Sequence, residues 1–84
     1  MTKYITQPIV LPKLGTTMVE GTISKWLVKE GDKIEKGQPL LEVLSDKANI
    51  EIESPETGFL AEIIEKEGET LPVGKIIGVI AKIK

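Results

Sequence analysis

The chain contains no cysteine, no histidine and no arginine in 84 residues, and each absence removes a class of function. Without cysteine there is no disulfide to reinforce a small fold and no thiolate to hold a metal. Without histidine, the commonest metal ligand and the usual general base at neutral pH are both missing, which excludes most hydrolase and zinc chemistry. Without arginine, all eleven basic residues are lysine, so the planar donor that reads phosphates and base edges in pairs of hydrogen bonds is lacking. The aromatics are three, Tyr4, Trp26 and Phe59, too few for a base-stacking platform. Thirteen acidic residues leave a net charge of −2, and nucleic acid is not expected as a partner. The longest apolar run, Ile76 to Ala81, is far short of the roughly 20 residues of a membrane span. Met1 to Gln7 lacks the apolar stretch of a secretory signal. A soluble cytoplasmic domain, with no membrane partner, is the expectation.

What is present is the composition of a folded protein, 40% hydrophobic and 29% charged, in a length that allows one domain, residues 1–84. Glycine and proline interrupt the chain at short intervals, and between them lie runs rich in Ile, Val and Leu, the pattern of short strands joined by tight turns. Ile50-Glu51-Ile52-Glu53 alternates strictly, isoleucines to one face and glutamates to the other. Leu60 to Glu65 has a helical reading, but Gly58 and Gly68 bracket it too closely. The fold class is all-β.

The chain also repeats itself. Residues 21–46 laid over 58–83, an offset of 58 − 21 = 37, give identities at Gly21/Gly58, Lys29/Lys66, Glu30/Glu67, Gly31/Gly68 and Gly37/Gly74. Seven further pairs are apolar in both copies: Ile23/Leu60, Trp26/Ile63, Leu27/Ile64, Ile34/Leu71, Leu40/Ile77, Val43/Ile80 and Leu44/Ala81. Lys-Glu-Gly followed by glycine six residues later, twice in register, predicts a repeated turn with positive φ at Gly31 and Gly68. Two half-repeats, roughly 9–46 and 48–83, fit two similar sheets packed face to face, each unable to bury its apolar side alone. The offset carries Lys47 onto Lys84, so a two-fold axis would set the segment around Lys47 and the chain termini at opposite ends.

Between the strand-like segments Leu40–Ser45 and Ala48–Ser54 stand only Asp46 and Lys47. A two-residue connection places both side chains at a hairpin tip, exposed and solvated. Neither is glycine, so a type I turn or a slightly longer loop fits better than a primed turn. Such a lysine is charged and is not an activated nucleophile; hairpin tips also carry lysine for solubility alone.

Ser45-Asp46-Lys47-Ala48 resembles the lipoyl-attachment signature of the 2-oxo acid dehydrogenase complexes. Glu30-Gly31-Asp32 and Gly37-Gln38-Pro39-Leu40 stand upstream at the family's spacing, and Ile52, Gly58 and Leu60 downstream. Met18-Val19-Glu20-Gly21-Thr22-Ile23 is similar to the same domain in dihydrolipoyl acyltransferases. The resemblance covers roughly Ile9 to Ile83. It implies a flattened barrel of two four-stranded antiparallel sheets with internal pseudo-two-fold symmetry, and lipoate amide-linked to Lys47. It implies that Asp46 and Ala48 frame that lysine for recognition, and that the loop containing Gly15 and Thr16 lies nearby and helps; a plain connector held by Gly15 is the other reading of that loop. The implied partners are a thiamine-diphosphate decarboxylase that reductively acylates the lipoyl sulfur, an acyltransferase core where coenzyme A accepts the acyl group, a flavin-dependent dihydrolipoyl dehydrogenase, and a lipoate ligase or lipoyl transferase. The chain itself is then a monomeric carrier and not an enzyme, of pyruvate or acetoin type, cut from or standing apart from a longer acyltransferase. Glu42, Asp46, Glu51, Glu53 and Glu56 would steer the tip toward a basic active-site mouth, or simply solvate a strand face.

A biotin carrier shares the implied fold but normally has methionine on both sides of its lysine, where this chain has Asp46 and Ala48. The glycine-cleavage H protein is longer. Unmodified lipoyl-like modules of membrane-fusion adaptors generally lack the Asp-Lys-Ala turn.

Overall fold

The computed structural model describes residues 3–45 and 48–83. Eight strands form: β1 Tyr4–Val10, β2 Glu20–Trp26, β3 Lys33–Ile34, β4 Pro39–Leu44, β5 Asn49–Glu53, β6 Gly58–Ile63, β7 Thr70–Pro72 and β8 Ile76–Ile83. There is no helix among the described residues; the segment with a helical reading is strand β6 as far as Ile63. The strands make two four-stranded sheets, in the orders β1-β8-β6-β3 and β5-β4-β2-β7, and every pairing is antiparallel.

The 37-residue offset reappears in the architecture. It carries β2, β3 and β4 onto β6, β7 and β8, and with β1 exchanged for β5 the strand order of one sheet becomes that of the other. The hydrogen bonds repeat with it, each running from one half to the other. Gly31 donates its N–H to the Leu60 carbonyl at 2.7 Å, and Gly68 donates to the Ile23 carbonyl at 2.7 Å. Leu60 N–H returns to Asp32, and Ile23 N–H to Glu69, both at 2.9 Å. Gly31 and Gly68 both have φ of 92°, the left-handed backbone that glycine adopts without a Cβ penalty.

β2 and β6 each carry a bulge at the matching place, between Ile23 and Lys25 in β2 and between Leu60 and Glu62 in β6. Past each bulge a backbone N–H is taken by a carboxylate from the other half. Trp26 N–H donates to Glu67 Oε2 at 2.8 Å, and Ile63 N–H donates to Glu30 Oε2 at 2.8 Å. The repeated Lys-Glu-Gly therefore does two things: its glycine makes the turn, and its glutamate satisfies a donor that the bulge leaves off the ladder.

The core lies between the sheets and is built from matched pairs. Ile23/Leu60, Ile34/Leu71, Leu40/Ile77 and Val43/Ile80 are all buried, while Trp26 and Ile63 pack against its edge. In β5, Ile52 is buried between exposed Glu51 and Glu53, as the alternation requires. The repeat breaks in one place. Gly37 N–H donates to the Ser54 carbonyl at 2.8 Å and Gly74 N–H to the Leu11 carbonyl at 2.9 Å. Those acceptors are 54 − 11 = 43 residues apart, whereas the donors are 37 apart. The β1–β2 connection thus holds six residues, 43 − 37, that the β5–β6 connection lacks.

Candidate functional site

Among the described residues, β4 and β5 are the only strands consecutive in the chain that also pair with each other. The ladder of this hairpin runs from Pro39 opposite Glu53 to Leu44 opposite Asn49. Ser45 and Ala48 close it: Ser45 N–H donates to the Ala48 carbonyl at 2.8 Å, and Ser45 Oγ donates to the same carbonyl at 3.1 Å while lying 3.3 Å from Ala48 N–H. Ala48 is exposed. Asp46 and Lys47 lie outside the described residues, between these two closing groups in the chain. Successive Cα atoms are about 3.8 Å apart, so covalent geometry alone keeps Lys47 next to Ala48 and within two residues of Ser45.

A side-chain network fixes the base of the hairpin. Asn49 Nδ2 donates to Glu42 Oε1 at 2.8 Å, and Ser24 Oγ donates to Asn49 Oδ1 at 3.2 Å. One amide thus ties β5 to β4 and to β2. Sequence reasoning passed over Ser45 as a closing residue and Asn49 as a tie. The signal for the first was a hydroxyl residue three positions before Ala48, the spacing of a side chain folding back on its own turn.

The six-residue insertion reaches this end of the molecule. Met18 N–H donates to the Gly15 carbonyl at 3.2 Å, making a tight turn with Thr16 and Thr17 at its corners, and Leu14 N–H points to Met18 Sδ at 3.3 Å. Residues Thr17 to Thr22 then run beside Leu44 and Ser45 and enclose with them a groove of about 300 Å³. Gly15 and Thr16 do not line it; they face a separate depression with Lys13 and Leu14. Gly15 is not in the left-handed region, and a Cβ there would meet nothing within 4 Å.

The acidic cluster divides on folding. Glu42 and Glu51 are cross-strand partners on β4 and β5. Glu53 stands at the opposite end of the hairpin from Ser45, and Glu56 pairs with Lys82 at 3.2 Å. Glu53 and Glu56 are therefore not part of the tip, contrary to the expectation from sequence, because β5 carries them away from it. No group of metal-ligating side chains occurs among the described residues.

Two matched sheets and a hairpin closed by Ser45 and Ala48, with only Asp46 and Lys47 between them in the sequence, are the features that a carrier domain would need. Residues 7–80 match the biotin/lipoyl family, described as biotin-requiring enzyme, and the chain belongs to that family. Within it, the relatives are lipoyl domains, whose members carry lipoate covalently on a lysine. One relative is the lipoamide acyltransferase component of the branched-chain alpha-keto acid dehydrogenase complex of Bacillus subtilis, 48% identical over 71 residues, 84% of this chain and 17% of that protein. Another is the dihydrolipoyllysine-residue acetyltransferase component 2 of the mitochondrial pyruvate dehydrogenase complex of Arabidopsis thaliana, 49% identical over 87% of this chain and 14% of that protein. The chain thus spans less than a fifth of these relatives' length. Among solved structures, the lipoyl domain of the 2-oxoglutarate dehydrogenase complex of Azotobacter vinelandii superposes with a TM-score of 0.70 and 26% identity, covering 92% of this chain and 94% of that one. The all-β, two-sheet expectation and the family resemblance both hold.

Proposed function

We propose that residues 1–84 form one lipoyl carrier domain, with half-repeats of roughly 9–46 and 48–83, and that Lys47 is the attachment residue. The observation that carries this reading is the hairpin closed by Ser45 and Ala48. It isolates Asp46 and Lys47 as the sole linking residues, at an end of the molecule that the repeat makes the counterpart of the chain termini. The dithiolane of lipoate, when attached, supplies the thiol–disulfide chemistry that accepts an acyl group. The protein's part is to hold the attachment point on a rigid two-strand support and to be recognised. Asp46 and Ala48, with Gly15 and Thr16 on the neighbouring loop, are the recognition residues in this reading.

In this reading the partners are a thiamine-diphosphate decarboxylase, an acyltransferase core that passes the acyl group to coenzyme A, a flavin-dependent dihydrolipoyl dehydrogenase, and a lipoate ligase or lipoyl transferase. That the relatives are components of 2-oxo acid dehydrogenase complexes supports the presence of other complex subunits. The domain is a cytoplasmic, monomeric carrier that performs no chemical step alone. Tethering makes each transfer effectively intramolecular, at about millimolar effective concentration for a short flexible linker. The acyl group is of pyruvate or acetoin type, supported by Met18-Val19-Glu20-Gly21-Thr22-Ile23 and by the pyruvate-complex relative.

The test is transfer of label. The lipoylated domain is incubated with decarboxylases specific for pyruvate, branched-chain 2-oxo acids or 2-oxoglutarate and the matching labelled acid. Label on the wild-type chain with the pyruvate enzyme, and none on Lys47→Ala, supports the reading. Label that persists on Lys47→Ala overturns it, and preference for another acid corrects the acyl type.

A further inference from the structure

The groove beside Ser45 differs in its lining from the depression at the matched end, where Thr57, Gly58, Phe59 and Lys82 stand in place of Glu20, Gly21, Thr22 and Ser45. Val19 is 73% exposed and Leu44 is 48% exposed, two large apolar side chains open to water on either side of the same cleft. Thirty-seven residues on, Val19 becomes Glu56, Leu44 becomes Ala81 and Ser45 becomes Lys82. There Ala81 is 4% exposed, and Glu56 and Lys82 are joined by an ion pair at 3.2 Å. At the matched positions an ion pair stands where the groove has Val19 and Ser45, and a buried alanine where it has Leu44, although backbone and core are shared. Exposed apolar surface that a matched position avoids marks a binding surface.

Gly21 shapes the floor. A Cβ there would come within 3.0 Å of Met18 Cε and 2.7 Å of Val43 Cγ1, so glycine lets the Met18 thioether lie down against β2. The lining sets the Val19 and Leu44 hydrocarbon and Met18 beside the polar side chains of Thr17, Glu20, Thr22 and Ser45. This is a half-apolar, sulfur-containing cleft at the lower end of the size of small-ligand sites. It begins two residues from Lys47. A short hydrocarbon chain ending in a polarizable disulfide ring matches it in size and chemistry, and a lysine-linked arm is held at high local concentration.

From this we infer that the groove formed by Met18, Val19, Gly21 and Leu44 is an intramolecular resting site for the dithiolane end of the lipoyl arm. This rests on the assignment of Lys47 above. The arm exchanges between the groove and solvent, so the protein holds the disulfide away from adventitious thiols between transfers and releases it to a partner. Val19 and Leu44 are the residues that define the site. Glu at position 19, the residue that the other half uses at the matched place, abolishes it.

The experiment compares unmodified and fully lipoylated domain, with modification at Lys47 read by mass. The spectra are methyl-resolved NMR, and the rate of dithiolane reduction by dithiothreitol is measured alongside. The expected result is shifted Val19 and Leu44 methyl signals with cross-relaxation to dithiolane protons, and unshifted Ile83 at the opposite end. Val19→Glu, at an exposed site, keeps the thermal midpoint, loses those signals and speeds reduction about threefold, the factor set by the bound fraction of the arm. Lipoylated domain with Val19 and Leu44 signals identical to the unmodified form overturns the inference. So does a groove that responds only when a decarboxylase is added, which would make it a partner's surface. A domain that takes no lipoyl group at Lys47 overturns the carrier assignment itself and this inference with it, and mass tells the two failures apart.

Discussion

Residues 20–44 and 57–81 share a strand plan, a bulge, a left-handed glycine turn and a reciprocal carboxylate bond, yet their free ends differ. The first half ends in a hairpin flanked by exposed Val19 and Leu44 and by a connection six residues longer. The second ends in buried Ala81 and the Glu56–Lys82 ion pair. The shared features lie where β2 and β6 cross with the two Lys-Glu-Gly turns; the differences lie at the two far ends. Mutual packing constrains the residues at the axis, whereas the ends are free to be specialised for modification or for plain solvation.

That comparison can be broken at the axis. The largest effect is expected from Gly58→Ala. Its Cβ would run into the backbone carbonyl of Ala81, whereas at the matched Gly21 the obstacles are the ends of the Val43 and Met18 side chains. Backbone cannot yield as a methyl group can, so Gly58→Ala costs about 3 kcal/mol and Gly21→Ala about 1 kcal/mol. Thermal unfolding of the two variants measures the difference; equal midpoints would mean that the two approaches are not distinct.

Next come Gly31→Ala and Gly68→Ala, each forced to hold φ at 92° at a cost of about 1–2 kcal/mol, or a drop of roughly 4–8 °C per kcal/mol in a domain of this size. The two drops should match. Markedly unequal values would show that the turns are not energetic equivalents. Glu30→Gln retains an acceptor for the Ile63 N–H and should cost little, while Glu30→Ala and Glu67→Ala each lose one hydrogen bond, about 1 kcal/mol. Amide exchange at Ile63 and Trp26 reports each loss separately. The smallest effect belongs to Gly15→Ala, where a Cβ meets nothing within 4 Å. Its midpoint should stay within about 0.5 kcal/mol of wild type, so any loss of acylation in that variant reads recognition and not folding.

Much of this was legible in the sequence because it depends on local rules. Glycine at 31 and 68 signalled left-handed turns, and Ile50-Glu51-Ile52-Glu53 signalled a half-buried strand. The matched apolar pairs located the core, with one exception. Leu44/Ala81 was read as an apolar pair, but folding exposes one and buries the other, since pattern records residue type and not the neighbour that covers it. Glu30 and Glu67 were visible as identities, yet their acceptor role needs the bulge in the opposite half, which no local pattern announces. The Glu56–Lys82 pair joins residues 26 positions apart and needs the sheet to bring them together. The loop is the instructive case. The turn at Gly15–Met18 sets Thr17 to Thr22 along the groove beside Ser45 and leaves Gly15 and Thr16 outside it, a distinction within a few residues that resemblance does not resolve.

The most direct test of the account uses the two ends against each other. The domain is treated with lipoate, ATP and a lipoate ligase, digested, and all eleven lysines are mapped by fragmentation mass spectrometry. The account predicts a single lipoyl group, on Lys47, with Lys82 and Lys84 at the matched end unmodified. A lipoyl group at the Lys82 end, or none at Lys47 in a chain shown to be folded, would contradict it.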